Sequence, residues 1–189
     1  MIISSNVINE IIINKSRFIT YLIKIKNKDE FLKHYDELKN KYKDATHICY
    51  AYQINNEIKY SDAKEPTGTA GLPIYNVLKQ NNLNYIACFV IRYFGGIKLG
   101  GSGLTRAYSN SVSLALKKTS IIKLEKKYII KIITNYQELN IIDKIIDNNS
   151  ILEKEYHDFI TYTVLINHDV LEKLDSFNIN YQILENNYF

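Results

Sequence analysis

All seven glycines and both prolines of this 189-residue chain lie between Pro66 and Gly103. Average usage would give roughly 13 Gly and about 9 Pro at this length. The chain is therefore poor in both and concentrates what it has. That excludes a collagen-like, proline-rich or Gly/Ser-linker architecture. It also dictates how the rest of the chain must turn. Outside the window the turn residues are Asn, Asp and Ser, and Asn is the usual non-glycine choice for a positive φ. The chain carries 21 Asn.

Hydrophobic residues make up 46% of the chain, enough for a real core, and the length suits one domain or two small ones. Ile, Asn, Lys and Tyr together account for 89 residues, which reads as a low-GC coding bias. A lysine-rich surface is then weak evidence of function. The three arginines, Arg17, Arg92 and Arg106, are more telling. No stretch approaches the roughly 18 apolar residues of a membrane span, so no membrane partner is expected. The opening MIISSNVINE has neither a basic region nor an apolar one, so no signal peptide is expected. Cys49 and Cys88 sit in apolar, strand-like runs and read as buried free thiols, which fits a cytoplasmic protein.

The net charge of +4 hides an asymmetry. Residues 1–127 carry 20 basic and 10 acidic side chains; residues 128–189 carry 4 and 10. Between Glu65 and Glu125 there is no acid, while Lys79, Arg92, Lys98, Arg106, Lys117, Lys118 and Lys123 all fall there. The asymmetry points to an anionic partner for the first part of the chain, against the alternative of a merely solvated lysine face.

Periodicity predicts strands over 8–13 and 17–25 joined by a turn at Asn14-Lys15, then an amphipathic helix over 28–42 with Phe31, Leu32, Tyr35 and Leu38 on one face. Strands follow over 46–54 and 58–60, a helix over 73–79, and a very apolar strand over 85–93 expected in mid-sheet. A Gly-rich loop then leads to a helix over 104–117. After the charge flip the pattern is a strand (128–134), a helix (136–148), two strands (151–156 and 159–166), a helix (170–177) and a last strand (181–184). That order, βαββαβ, fits a ferredoxin-like split βαβ sandwich.

Two segments could carry chemistry. One is Glu65-Pro-Thr-Gly-Thr-Ala-Gly71; the other runs from Arg92 through five glycines to Arg106. Each leads into a helix, whose first turn offers unpaired N–H groups and the positive end of the dipole to an anion. The expected anion or nucleic-acid site comprises Thr67, Gly68, Thr69, Gly71, Arg92, Gly95, Gly96, Lys98, Gly100, Gly101, Ser102 and Arg106, with Thr105 as a further donor. The bland alternative is a tight crossover that simply needs glycine. Neither the P-loop pattern nor a GxGxxG helix opening is present. His34, His47, His157 and His168 form no HExxH or HxH pair. His47 shares a strand face with Cys49 and reads as a packed residue rather than a metal ligand. A Thr67 or Thr69 nucleophile would need His47 or Glu65 as its base. The proximity of Asp62 and Glu65 is weak evidence by itself. No metal, no cofactor and no catalytic residue is expected.

EPTGTAGLPIYNVL and IRYFGGIKLGGSGLTRAYS strongly resemble the signature of the Impact/YigZ family. KSRFITYL and ATHICYAYQI look like its upstream blocks, and the last 60 or so residues look like the C-terminal domain of bacterial members. One departure stands out. Members usually read Asp-Asp-Gly-Glu-Pro where this chain has Asp62-Ala63-Lys64-Glu65-Pro66. The resemblance implies an α+β protein of two domains, 1–124 and 128–189. The first is similar to a small-subunit ribosomal-protein fold also found in domain IV of elongation factor G, and the second is ferredoxin-like. Eukaryotic Impact proteins regulate translation by competing for the activator of a starvation-responsive kinase, which bacteria lack. The expected role is therefore translation-linked regulation by binding RNA, the ribosome or a translation factor. A small-molecule enzyme acting on a phosphorylated or acyl substrate in the same cleft, and a protein-only interaction module, are the alternatives. Oligomeric state is not legible.

Overall fold

The computed structural model describes residues 1–188 and has two compact units, one from Met1 to Lys123 and one beginning at Leu124. The first unit comprises β1 (Ile2–Ile3), β2 (Val7–Ile13), β3 (Ser16–Lys24), α1 (Lys28–Lys41), β4 (His47–Ile54), β5 (Glu57–Ser61), α2 (Gly71–Gln80), β6 (Ile86–Tyr93), α3 (Gly100–Leu116) and β7 (Ile121–Ile122). Its main sheet has the order β2-β3-β6-β4-β5, with every neighbouring pair antiparallel. The central place of β6 follows from its sequence. Ile86 to Ile91 are all fully buried, because helices cover both faces of the sheet.

One face is covered by α1, whose Phe31 and Leu38 pack with Ile19, Tyr21, Tyr52, Phe89 and Ile91. The opposite face is covered by α2 and α3, whose Ile74, Leu78, Leu104, Tyr108 and Val112 pack with Phe18, Leu22, Cys49, Cys88 and Val90. Cys49 and Cys88 are free and buried. The turns are made largely as the shortage of glycine requires. Asn14, Asn55, Asn82 and Asn178 all hold positive φ. Asn14 and Lys15, at φ 45° and 63°, form the two-residue turn whose twist matches a β2–β3 hairpin.

The second unit comprises β8 (Lys126–Thr134), α4 (Leu139–Ile145), a 3₁₀ turn (Asn148–Ser150), β9 (Ile151–Tyr156), β10 (Ile160–Asn167), α5 (His168–Ser176) and β11 (Tyr181–Tyr188). Its antiparallel sheet has the order β11-β8-β10-β9. Alternate residues Ile130, Ile132, Tyr162 and Val164 face Ile142, Leu171 and Leu174 in one core.

Most elements lie within a few residues of the sequence reading, but the last strand runs on to Tyr188 instead of ending at Leu184, and three other features differ. The third helix begins at Gly100, not Leu104. Its first turn has no intrahelical partner to lose, so glycine is tolerated there and the run is helix rather than loop. The fourth helix is shorter than 136–148. Asn135 Oδ1 accepts the N–H groups of Gln137 and Glu138 in a preceding turn, and Ile146 is already extended. The pairing of β1 with β7 was not anticipated, since two-residue strands carry no period.

Gly95 is where the sheet and a turn approach most closely. A Cβ on Gly95 would stand 2.0 Å from the carbonyl carbon of Lys15, and neither backbone can move without opening the β2–β3 turn. Gly101 differs, since the nearest atom to its added Cβ is 3.9 Å away. Gly95→Ala is expected to cost about 3 kcal/mol or more, and Gly101→Ala to be neutral or slightly stabilising. Urea unfolding of the two variants checks this. Equal midpoints would refute the close approach.

Candidate anion-binding site

The loop from β5 to α2 is organised by Asp62. Its Oδ2 accepts the N–H of Gly68 at 2.9 Å, and its Oδ1 accepts those of Ala70 and Gly71 at 2.9 and 2.8 Å. The start of α2, which has no capping side chain at Ala70, thus receives its anion from within the chain. Burial alone would raise the Asp62 carboxyl. The three N–H groups outweigh burial and hold it below its ordinary value of 3.8. Gly71 lies so close to β5 that a Cβ there would stand 2.7 Å from Ser61 backbone atoms.

Glu65, three residues on, turns inward and is 8% exposed. Its Oε1 accepts hydrogen bonds from Arg92 Nη1 at 2.6 Å and from the Tyr108 hydroxyl at 2.8 Å. His47 Nε2 lies 3.8 Å from Oε2, and His47 Nδ1 lies 2.9 Å from the Ala63 carbonyl oxygen. Cys49 Sγ is 3.0 Å from the Asp62 carbonyl oxygen and 3.3 Å from the Tyr108 hydroxyl. Burial pushes the Cys49 thiol up to about 12 and raises Tyr108 far above the usual phenol range, so both stay protonated as donors. One cluster therefore ties together β4, the β5–α2 loop, β6 and α3.

At the end of β6 the chain is pinned to two neighbours. Phe94 N–H donates to Thr46 Oγ1 at 3.0 Å, and Gly95 N–H donates to Ser16 Oγ at 3.2 Å. The Arg92 guanidinium lies between the rings of Phe18 and Phe94, with Cζ 5.5 and 5.7 Å from their centroids.

The two Gly-bearing segments lie side by side, since Thr69 Cγ2 is 3.9 Å from where a Gly101 Cβ would sit. Within them the expected residues divide into two groups. The N–H groups of Gly68 and Gly71 are spent on Asp62, Arg92 on Glu65, and Gly95 on the contact with Lys15 and Ser16. These residues build the fold. Gly96, Lys98, Gly100, Gly101, Ser102 and Arg106 face solvent, as does Thr67. The Thr69 hydroxyl donates to the Pro66 carbonyl at 2.6 Å, and Thr105 to that of Gly101 at 3.1 Å. Glu65 is thus committed to Arg92 and Tyr108, and Thr69 to its own backbone. Among the described residues no side chain caps α3, and its first turn holds no acid. Arg17 pairs with Glu10 and Arg92 with Glu65, so Arg106 is the arginine without an ion pair among the described residues. Arg106 also borders a shallow groove of about 640 Å³ between the β2–β3 turn and α3, lined by Ile13, Asn14, Leu99, Asn110 and Ser113 among others. Among the described residues no three His, Cys, Asp or Glu side chains form a metal-holding group.

Sequence reasoning missed two residues that matter here. Asp62 looked like half of a carboxylate pair; only the register of β5 against β4 shows it turned onto the α2 amides. Phe94 falls in the loop after the strand expected over 85–93, and nothing in the sequence shows that its ring lies against Arg92 while 46% exposed.

A small α/β unit whose second and third helices begin at glycine, followed by a four-stranded antiparallel unit, is the class these features define. The family model for the Impact N-terminal domain matches residues 14–116. The chain is 40% identical over 152 residues to the IMPACT family member YvyE of Bacillus subtilis strain 168, covering 79% of this chain and 70% of that one. It is 29% identical over 161 residues to the IMPACT family member YigZ of Escherichia coli K12, covering 82% and 79%. A crystal structure of a hypothetical protein superposes with a TM-score of 0.63 at 27% identity, covering 97% of this chain and 95% of that one. The chain belongs to the Impact family.

The departure at Ala63-Lys64 now has a physical meaning. Both residues hold positive φ, 46° and 70°, where the family pattern places Asp-Gly. A left-handed conformation costs a non-glycine residue roughly 1–2 kcal/mol, partly offset by the entropy glycine loses on folding. Lys64→Gly is expected to stabilise the protein by about 0.5–1 kcal/mol in urea unfolding; a loss of stability would contradict the turn geometry.

Asp62 makes a pH prediction. Its carboxyl is depressed in the folded state, so its contribution is complete above the ordinary value of 3.8 and is lost as pH falls through the folded value. The wild-type urea midpoint should therefore drop below about pH 4 more steeply than that of Asp62→Asn, which starts lower at neutral pH. Parallel pH profiles would show that Asp62 does not hold the loop as a carboxylate.

Proposed function

We propose that this protein is a translation-associated regulator that binds RNA, the ribosome or a translation factor through the exposed, basic face at the start of α3. What carries the reading is Arg106, exposed beside a groove and without an acid partner, in a stretch where Lys98 and the uncapped first turn of α3 add positive potential. Such a surface gathers phosphates by charge and by backbone N–H groups. The binding residues in this reading are Thr67, Gly96, Lys98, Gly100, Gly101, Ser102 and Arg106. Gly68, Thr69, Gly71, Arg92 and Gly95 hold the two segments in place.

We read the first unit as the α/β fold shared with domain IV of elongation factor G, and the second as ferredoxin-like, with domain limits at 1–124 and 128–189. In the second unit the outward residues of the two central strands are Lys127, Ile129, Lys131 and Ile133 on β8 and Thr161, Thr163 and Leu165 on β10. That face lacks the aromatic side chains with which similar sheets stack RNA bases. Its unit is also net acidic, so its role in this reading is a protein contact.

Phosphate-dominated binding weakens steeply with salt. Affinity for single-stranded RNA should fall by at least tenfold between about 50 and 200 mM salt. The Lys98→Glu/Arg106→Glu double variant should lose both affinity and salt dependence. A flat salt response, or a double variant that binds like wild type, overturns the reading. Ribosome co-sedimentation that survives nuclease treatment would favour a protein-only contact.

A further inference from the structure

We propose that Phe94 is a stacking platform for one unpaired nucleobase; this rests on the nucleic-acid reading above and names the contact that would make it selective for single strands. Phe94 is 46% exposed although it directly follows β6, the deeply buried central strand. One face of the ring supports Arg92, and the exposed remainder adds no burial to the fold. Three features make it a prepared surface rather than a loose ring.

First, its backbone is fixed on both sides. Its own N–H donates to Thr46 Oγ1 and the next N–H donates to Ser16 Oγ. Second, one side of the ring rests over the Arg92 guanidinium, with Cζ 5.7 Å from the centroid. Arg92 is itself 4% exposed and anchored by Glu65. The order inward is then Phe94, Arg92, Phe18 and Tyr108, with Phe18 and Tyr108 in edge contact at 5.3 Å. An aromatic ring backed by a buried cation is held in place by the ring's own quadrupole. Its free face loses little entropy on meeting a base. Third, the surroundings carry the charge for a sugar–phosphate backbone. Gly95 abuts the Lys15 backbone, Lys98 lies four residues beyond Phe94, no acid occurs in sequence from Pro66 to Leu124, and Asp44 nearby accepts the Tyr93 hydroxyl at 2.9 Å.

A base has two π-faces and any base stacks on phenylalanine, so the contact tolerates sequence while rejecting a duplex, whose bases are already stacked. An acidic peptide would satisfy the lysines equally well but gains no special advantage from a flat ring. The combination of flat ring and basic rim favours single-stranded nucleic acid.

The chain contains no Trp, so Phe94→Trp installs a single reporter at the site. Titration with a short oligouridylate should quench its emission. A Trp placed at Phe159, which is 59% exposed in the second unit, should not respond. In parallel, Phe94→Ala should lower affinity for the oligouridylate by tenfold or more, as loss of one stacked base does elsewhere. It should leave the weaker affinity for an abasic sugar–phosphate oligomer unchanged. Phe94→Leu, which keeps apolar bulk without a π-face, should behave like Ala. Unchanged urea midpoints confirm that all three variants fold.

If wild type binds the oligouridylate with the expected salt dependence and Phe94→Ala binds equally well, the stacking proposal fails and the phosphate reading stands. Failure of the wild type to bind either oligomer overturns both. Should Phe94→Ala lose ribosome co-sedimentation while keeping oligouridylate affinity, the ring docks on protein and the proposal is wrong.

Discussion

Everything at the candidate site depends on one buried ion pair. Arg92 and Glu65 meet at 2.6 Å with side chains that are almost wholly withdrawn from water. Taking both charges out of water is expensive, and an ion pair alone rarely recovers that cost. Here it is supplemented. Tyr108 donates to the same carboxylate oxygen, Ser16 lies within reach of Nη2, and two aromatic rings flank the guanidinium. Arg92 Nε alone is left without a partner in this cluster. The return on this expense is positional. Glu65 sits in the β5–α2 loop, Arg92 on β6 and Tyr108 on α3, so one cluster fixes three elements that are distant in sequence. Removing either charged partner would leave an uncompensated charge in the core, which typically costs about 3–5 kcal/mol. Glu65, Arg92 and Tyr108 are, in this sense, internal fasteners. The surface they present is a consequence.

The glycine economy follows the same logic. Backbone meets backbone closely at Gly71 against β5 and at Gly95 against the β2–β3 turn, and a methyl group fits neither place. Both approaches flank the ion pair in sequence, six residues after Glu65 and three after Arg92. Gly68, Gly96 and Gly100 serve differently, as positive-φ turns with open space around them. At Ala63-Lys64 the chain accepts left-handed backbone in ordinary residues beside the same cluster, as it does at Lys15 and Tyr85 elsewhere.

Much of the architecture was legible in the sequence because it is set by period. The asparagine turns, the amphipathic α1, the buried β6 and the βαββαβ order of the second unit all follow from spacing of apolar residues and the absence of glycine. What was not legible depends on partners. That Arg92 points inward to Glu65 cannot be read from RYFGG, since an arginine at a strand end is as easily exposed. The inward turn of Asp62 onto α2 depends on where β5 stops against β4. The first turn of α3 reads as loop in the sequence because glycine disfavours helix, a rule that weakens where no N–H has an intrahelical partner to lose. The location of the basic segments was visible; the division between residues that build and residues that face solvent was not.

That division carries an argument about selection of the partner. An anion site made from α2 and α3 together would bring two helix starts to one ligand. The chain has instead filled one of them with its own carboxylate, leaving α3 with neither cap nor acid. A compact phosphorylated metabolite is best held by converging donors from several elements. A polymer needs only a shallow, one-sided surface with charge along its length, since each phosphate is gripped lightly and the sum supplies affinity. The open groove beside Arg106, rather than an enclosed cavity, fits the second demand.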